Sequence, residues 1–166
     1  MKTIEEQIIL HEGLRLKTYR CPADKWTIGV GRNLEGVGLH RAELEKFFGD
    51  TTLGRDEVIE RLHRRGITKE EALWMLDNDI NICVRDLESF FWYKHLDPIR
   101  QKVMIDMRFN LGPSRFRGFK KMIMHLEVSS YADAADEMID SKWYHEVGNR
   151  SKRLVHMMAT GQDYER

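Results

Sequence analysis

Glu12, Cys21 and Thr27 are the residues whose types and spacing could move protons: a carboxyl, a thiol nine residues on and a hydroxyl six further. Ile4, Ile8 and Glu12 recur every four residues, so a helix over 3–12 carries Glu12 on one stripe with two isoleucines. Gly13 follows, the residue type a helix accepts just past its end. Glu12 is therefore expected on the last turn, beside apolar side chains and at the negative end of the helix dipole. Both effects favour the protonated carboxyl. A carboxylic acid that keeps its proton near neutral pH is a general acid. Tyr19 and Trp26-Thr27-Ile28 have strand character, interrupted by Cys21-Pro22-Ala23-Asp24 and closed by Gly29-Val30-Gly31. That pattern predicts a small hairpin that returns its polar residues over the helix end. Singly, such residues are ordinary: a terminal Glu is usually a solvated charge, a Cys a small buried hydrophobe, a Thr a strand residue. Together they reach a hydrolase-type site and no further.

The elements around this stretch read as helices. Residues 33–40 are loop-like; 41–48 and 55–65 predict helices, the second with Val58, Ile59 and Leu62 on its apolar side. The basic run Arg61 to Arg65 reads as a solvated helix end. Thr68-Lys69-Glu70-Glu71 fits a capping box and opens a long helix over 68–88, with Leu73, Leu76, Ile80, Val84 and Leu87 at helical spacing. Asp97-Pro98 starts another helix, through Val103, Met104 and Met107 toward Phe109, which Gly112-Pro113 is expected to stop. Ser130 to Ser141 and Arg150 to Thr160 add helices. Met104, Met107, Met122, Met124 and Met138 are expected in the core. The fold class is α+β, mostly α, with a small β-hairpin region.

Lysine plus arginine equals aspartate plus glutamate at 27 each, so the formal net charge is zero. A protein that neutralises many phosphates carries a basic excess, so this balance disfavours nucleic acid as a partner, and anionic membranes likewise. No apolar run of about 18 residues exists to span a membrane, and no stable membrane insertion is expected. The N-terminus lacks a basic segment followed by a long apolar run, so no signal peptide is expected. Cys21 and Cys83 are expected to stay reduced, as in the cytosol. The seven histidines are scattered and no His/Cys/Asp cluster has ligand spacing, so neither metal nor cofactor is expected.

Residues 12–20, E-G-L-R-L-K-T-Y-R, with T-I-G-V-G at 27–31, resemble the active-site signature of phage-type lysozymes, family 24 of the glycoside hydrolases. Further along, 67–87 resembles that family's long central helix. The segments M-R-F-N-L-G at 107–112, G-F-K-K at 118–121 and S-K-W-Y…N-R-S-K-R at 141–153 resemble its C-terminal lobe, and T-G-Q-D-Y-E at 160–165 its tail. The resemblance implies one lysozyme-like domain over 1–166. It would comprise an N-terminal lobe about 13–67, a connecting helix about 68–88 and a helical C-terminal lobe about 89–166, with helix 3–12 packed near the last.

Carried over residue by residue, the family's acid falls on Glu12 and its threonine on Thr27. The middle position, Asp in T-even relatives, is Cys21 here, as in related endolysins; Asp24, three residues on, is the other group that could take that role. Arg32 stands where many relatives place His, whose aspartate partner falls on Asp79; an Arg32–Asp79 pair would keep the charges and lose the pH sensitivity. Asn110, Trp143, Tyr144, Asn149 and Arg150 become candidate substrate-binding residues, although Trp143-Tyr144 on pattern alone reads as core packing.

The implied activity is a muramidase that cleaves the β-1,4 bond between N-acetylmuramic acid and N-acetylglucosamine in peptidoglycan. By resemblance it is an endolysin: a monomer made in the host cytoplasm, released by a separate holin, acting on the wall. A lytic transglycosylase, which needs only the acid, an inactive peptidoglycan-binding module and a helical DNA-binding regulator are the competing classes.

Overall fold

The computed structural model describes residues 1–164; Glu165, the last residue of the tail motif, lies outside the described residues. The chain is mostly helical with a small antiparallel sheet near its N-terminus, an α+β lysozyme-like fold. It divides into two compact units: Ile8–Asn78, and Met1–Gln7 taken together with the chain from Asp79 onward.

The Ile8–Asn78 unit begins in the last turns of α1 (Ile4–Glu12). Strands β1 (Arg15–Arg20), β2 (Trp26–Gly29) and β3 (Arg32–Asn33) follow, pairing antiparallel in that order. Helices α2 (Arg41–Phe48) and α3 (Arg55–Arg65) come next, and α4 (Lys69–Glu88) starts here. The third strand takes in Arg32 and the first residue of the expected loop at 33–40, the rest of which is loop: Thr27 pairs with Asn33 and Ile28 with Arg32. Two residues are too few for a period-two pattern to register in a sequence. Ile28, Leu34, Val58, Leu62, Ile67, Ala72 and Met75 form the core, with both α3 members on its predicted apolar side.

The capping box at Thr68 forms as expected: its backbone N–H donates to Glu71 Oε1 at 2.9 Å, and Glu71 N–H to Thr68 Oγ1 at 3.1 Å. The face that α4 buries differs from expectation. Leu73 and Val84 are half-buried, while Ala72, Met75 and Cys83 join Leu76, Ile80 and Leu87 inside. Arginines 61, 64 and 65 pair with Glu57, Glu60 and Glu71 at the surface, in keeping with a solvated helix end.

A buried ion pair braces this unit. Arg32 Nη1 and Nη2 donate to Glu43 Oε1 and Oε2 at 2.6 and 3.0 Å, with the two side chains 2% and 0% exposed. Arg32 also donates to the carbonyls of Gly38 and Met75, and Asn78 donates to Glu43. The fork of one guanidinium thus ties β3, the loop after it and α4 to α2.

In the other unit, Asp97 caps α5 (Pro98–Arg117) by accepting from the N–H of Arg100 at 3.0 Å. Gly112, at φ 79° and ψ 172°, breaks the helical path, but helix resumes at once to Arg117, so the expected stop is a kink. Proline suits the first position of a new turn as well as it ends an old one. Helices α6 (Lys120–Glu127), α7 (Tyr131–Ile139), α8 (Lys142–Glu146) and α9 (Asn149–Thr160) follow; α6 and α8 were not anticipated. Met104, Met107, Met122 and Met138 are buried, whereas Met124 is 59% exposed, against expectation. Lys102 Nζ donates to the carbonyl of Lys2 at 2.8 Å and to Asp163 at 3.0 Å; the N–H of Lys2 also donates to Asp163. Both thiols are free, and among the described residues no helix is long and apolar enough to cross a membrane.

Candidate active site

Helix α1 ends on Glu12, and the N–H of Gly13 closes its last turn on the Ile9 carbonyl at 2.7 Å. Gly13 sits at φ 78°, a left-handed turn that sends the chain directly into β1. Glu12 is half-buried. Its carboxyl lies against Gly31 in the turn from β2 to β3: a Cβ on Gly31 would stand 2.8 Å from Glu12 Oε2 and 3.0 Å from Cδ. Bare backbone at residue 31 is what lets the hairpin pass over the acid.

Across the hairpin, Tyr19 pairs with Thr27. Cys21 opens the β1–β2 turn; its N–H donates to the Lys25 carbonyl at 3.0 Å and its carbonyl accepts from Asp24 at 2.8 Å. Asp24 takes φ 58°, a left-handed conformation that Asp tolerates better than most residues. Thr27 is 2% exposed, and its hydroxyl donates to the Lys25 carbonyl at 2.9 Å. The same hydroxyl is also within hydrogen-bonding reach of the Cys21 sulfur, and its oxygen lone pairs are acceptors for a further donor.

Burial opposes ionisation of the Cys21 thiol, but hydrogen bonds from the Lys25 backbone, the Thr27 side chain and the Ala23 and Cys21 backbone outweigh it. The thiol is held below its ordinary pKa. Tyr19 moves the other way: burial first, then the negative charges of Glu12 and Cys21, raise its pKa, with Arg15 opposing. Tyr19 therefore lies within electrostatic reach of both groups. Asp24 differs from Cys21 in being 82% exposed along its side chain and ion-paired to Arg20 at 3.3 Å.

The remaining candidates belong to the other unit. Arg150 is 8% exposed and donates from Nε to Asp106 Oδ1 at 2.8 Å; Gln7 donates to Asp106 Oδ2, also at 2.8 Å. Asp106 itself is wholly buried. Trp143 is 2% exposed, packs edge-on to Phe119 and donates its indole N–H to Asn110 Oδ1 at 2.8 Å. The ring is core, as its sequence pattern alone suggested, and it orients Asn110. Tyr144 is half-buried and Asn149 is exposed at the start of α9.

Tyr19 and Gly31 were read from the sequence only as strand and turn residues, and Glu43, Asp106 and Gln7 were not singled out. Asp106 carried a readable signal, an acid within the apolar run of α5, where burial requires a partner. Glu43 carried none, since Arg41, Glu45 and Lys46 on the same short helix are also charged and a further glutamate among them reads as solvent-facing. Among the described residues no group of His, Cys, Asp and Glu could hold a metal ion.

The family model for phage lysozyme matches residues 10–159, which takes in the acid, the hairpin and the Arg150 network. The chain belongs to the phage lysozyme family. The match spans both compact units, so this phage lysozyme relative is a lysozyme-like glycoside hydrolase in general class. A probable T4-type lysozyme of Dictyostelium discoideum is 27% identical over 165 residues, 97% of this chain and 96% of that protein. A second from the same organism is 22% identical over the same shares. The pre-baseplate central spike protein Gp5 of Enterobacteria phage T4 is 25% identical over 167 residues, 96% of this chain but 28% of the spike protein. A lysozyme-type chain thus has relatives that stand alone and one in which the similarity occupies part of a longer protein.

Proposed function

We propose that this phage lysozyme family member is a muramidase, hydrolysing the β-1,4 bond between N-acetylmuramic acid and N-acetylglucosamine in bacterial peptidoglycan. The observation that carries the reading is the packing of Glu12 under Gly31, in the same small hairpin that bears Cys21 and Thr27. Glu12 gives its proton to the leaving glycosidic oxygen while the C–O bond breaks; water adds to the anomeric carbon and loses a proton to the protein. Thr27, buried beside Cys21 in the hairpin, accepts from that water through its oxygen lone pairs and orients it. Cys21, with its lowered pKa, is the better candidate for the second group than Asp24, which points to solvent and is held by Arg20. Asn110, Tyr144, Asn149 and Arg150 bind the glycan in this reading, and Trp143 acts through Asn110.

The test is product analysis on purified peptidoglycan. New reducing muramic ends from the wild type, with a loss of about 10³-fold in Glu12→Gln at unchanged fold, support hydrolysis. Anhydro-muramic ends would replace it with a lytic transglycosylase, and wall binding without products would leave a binding module. The proposal extends to host lysis by a monomeric enzyme released through a holin. Co-expression should then lyse Gram-negative cells only when a holin is supplied.

A further inference from the structure

β1 brings a second chemistry to the edge of the site. Its pairing is irregular between Arg15 and Tyr19, and across that irregularity the Arg15 guanidinium lies 4.5 Å from the Tyr19 ring centroid. Tyr19 is opposite Thr27 in the strand register, so the ring that carries Arg15 lies beside a residue of the candidate site. Its neighbours engage elsewhere: Thr18 bonds His63, and Arg20 stacks over Trp26 and pairs with Asp24. Lys17 runs beside Gly66, where a Cβ would stand 3.4 Å from its Nζ. Arg15 is the exposed cation of this strand that stacks on Tyr19, and among the described residues no carboxylate pairs with it.

A guanidinium stacked on an aromatic face keeps its N–H donors at the ring edge, pre-ordered and only partly hydrated. Such a fork suits a planar carboxylate, which it can grip through two parallel hydrogen bonds. The glycan proposed as substrate carries carboxylates on the acidic peptide attached to its muramic residues. Neutral amino-sugar polymers carry none.

We propose that Arg15, ordered by Tyr19, is a specificity-determining residue that receives a carboxylate of the wall peptide beside the scissile bond. The inference rests on the muramidase reading and adds which glycans it prefers. The contact is made before bond cleavage and equally during it, so its loss raises KM and leaves kcat in place.

The experiment compares native peptidoglycan with the same material whose carboxylates have been amidated by carbodiimide and ammonia. Wild type, Arg15→Gln and Arg15→Lys are assayed on both. The expected result is a KM about fivefold higher for Arg15→Gln on native wall, with no further rise on amidated wall. Wild type should lose the same factor on amidation, and Arg15→Lys should fall between because it keeps charge without the fork. Equal KM for wild type and Arg15→Gln on native wall, or an equal effect of amidation on both, overturns the proposal. Co-sedimentation of Glu12→Gln, with and without Arg15→Gln, on both walls reads the contact without turnover. A wild type that releases no products thus removes the muramidase reading while the carboxylate contact is still decided.

Discussion

At the scale of single residues, the site turns on how little room surrounds Glu12. Gly31 is at φ 66° and its missing Cβ is the space the carboxyl occupies. Gly31→Ala should cost about 1 kcal/mol in backbone strain and also push the acid from its position. Activity should therefore fall far more than thermal stability, a split that a melting curve beside a wall-clearing assay resolves. Cys21 supplies a second expectation. Its thiol is held below its ordinary pKa, so the thiolate fraction rises with pH through that lowered value. If the thiolate receives the water's proton, the wild-type rate should climb over that range. Cys21→Ser should lose the climb, and Cys21→Asp should move it into the carboxylate range. A serine variant with the wild-type pH–rate curve would remove Cys21 from the chemistry.

Among the elements, the Arg32–Glu43 pair does most to hold β3, α2 and α4 together. Burial alone would raise the Glu43 pKa, but hydrogen bonds and charge from Arg32, with Asn78 and the His40 backbone, lower it overall. A carboxyl with a depressed folded-state pKa contributes stability that is full above its unfolded value and is lost as pH falls through the depressed one. Glu43→Gln removes one counter-charge and weakens two charge-assisted hydrogen bonds at a buried guanidinium, and should cost about 3 kcal/mol; it should also flatten the acid limb of stability. Denaturant unfolding at neutral and acid pH measures both. The same pair marks where the sequence stops being legible. Helices α2, α3 and α4 announce themselves through caps and periodicity, and their bounds were read nearly to the residue. Glu43 joins Arg32 only once the hairpin and α2 have packed, and such long-range pairing leaves no local trace. The α5 kink failed for a different reason, since Gly-Pro ends a helix in one context and restarts it in another.

For the whole molecule, the resemblance gave the family and the carried-over motif positions, while the physics of spacing alone had reached only an acid, a thiol and a hydroxyl in one hairpin. Zero net charge disfavoured a nucleic-acid binder but said nothing about where charge is arranged, and Arg15 over Tyr19 is such an arrangement. Nor could composition show that Met124 would be left outside the core. Side chains of similar apolarity are sorted only by which face of a helix meets a neighbour.

The division of the chain has a consequence for how it is made. Ile8–Asn78 is continuous, so every residue of that unit has been joined to the chain while more than half of the chain is still to be synthesised. The other unit begins with Met1–Gln7, the first residues synthesised, yet Gln7 must find Asp106 and Lys2 must find Lys102 and Asp163. Those seven residues wait, unpartnered, for nearly the whole of translation, and closing so long a loop carries an entropic cost at the end. Vectorial synthesis should therefore yield one unit early and the other only after release of the C-terminus. Protease challenge of stalled nascent chains should show protection of 8–78 well before that of the N-terminal residues. Asp163→Asn should slow the last step in refolding while leaving the first untouched.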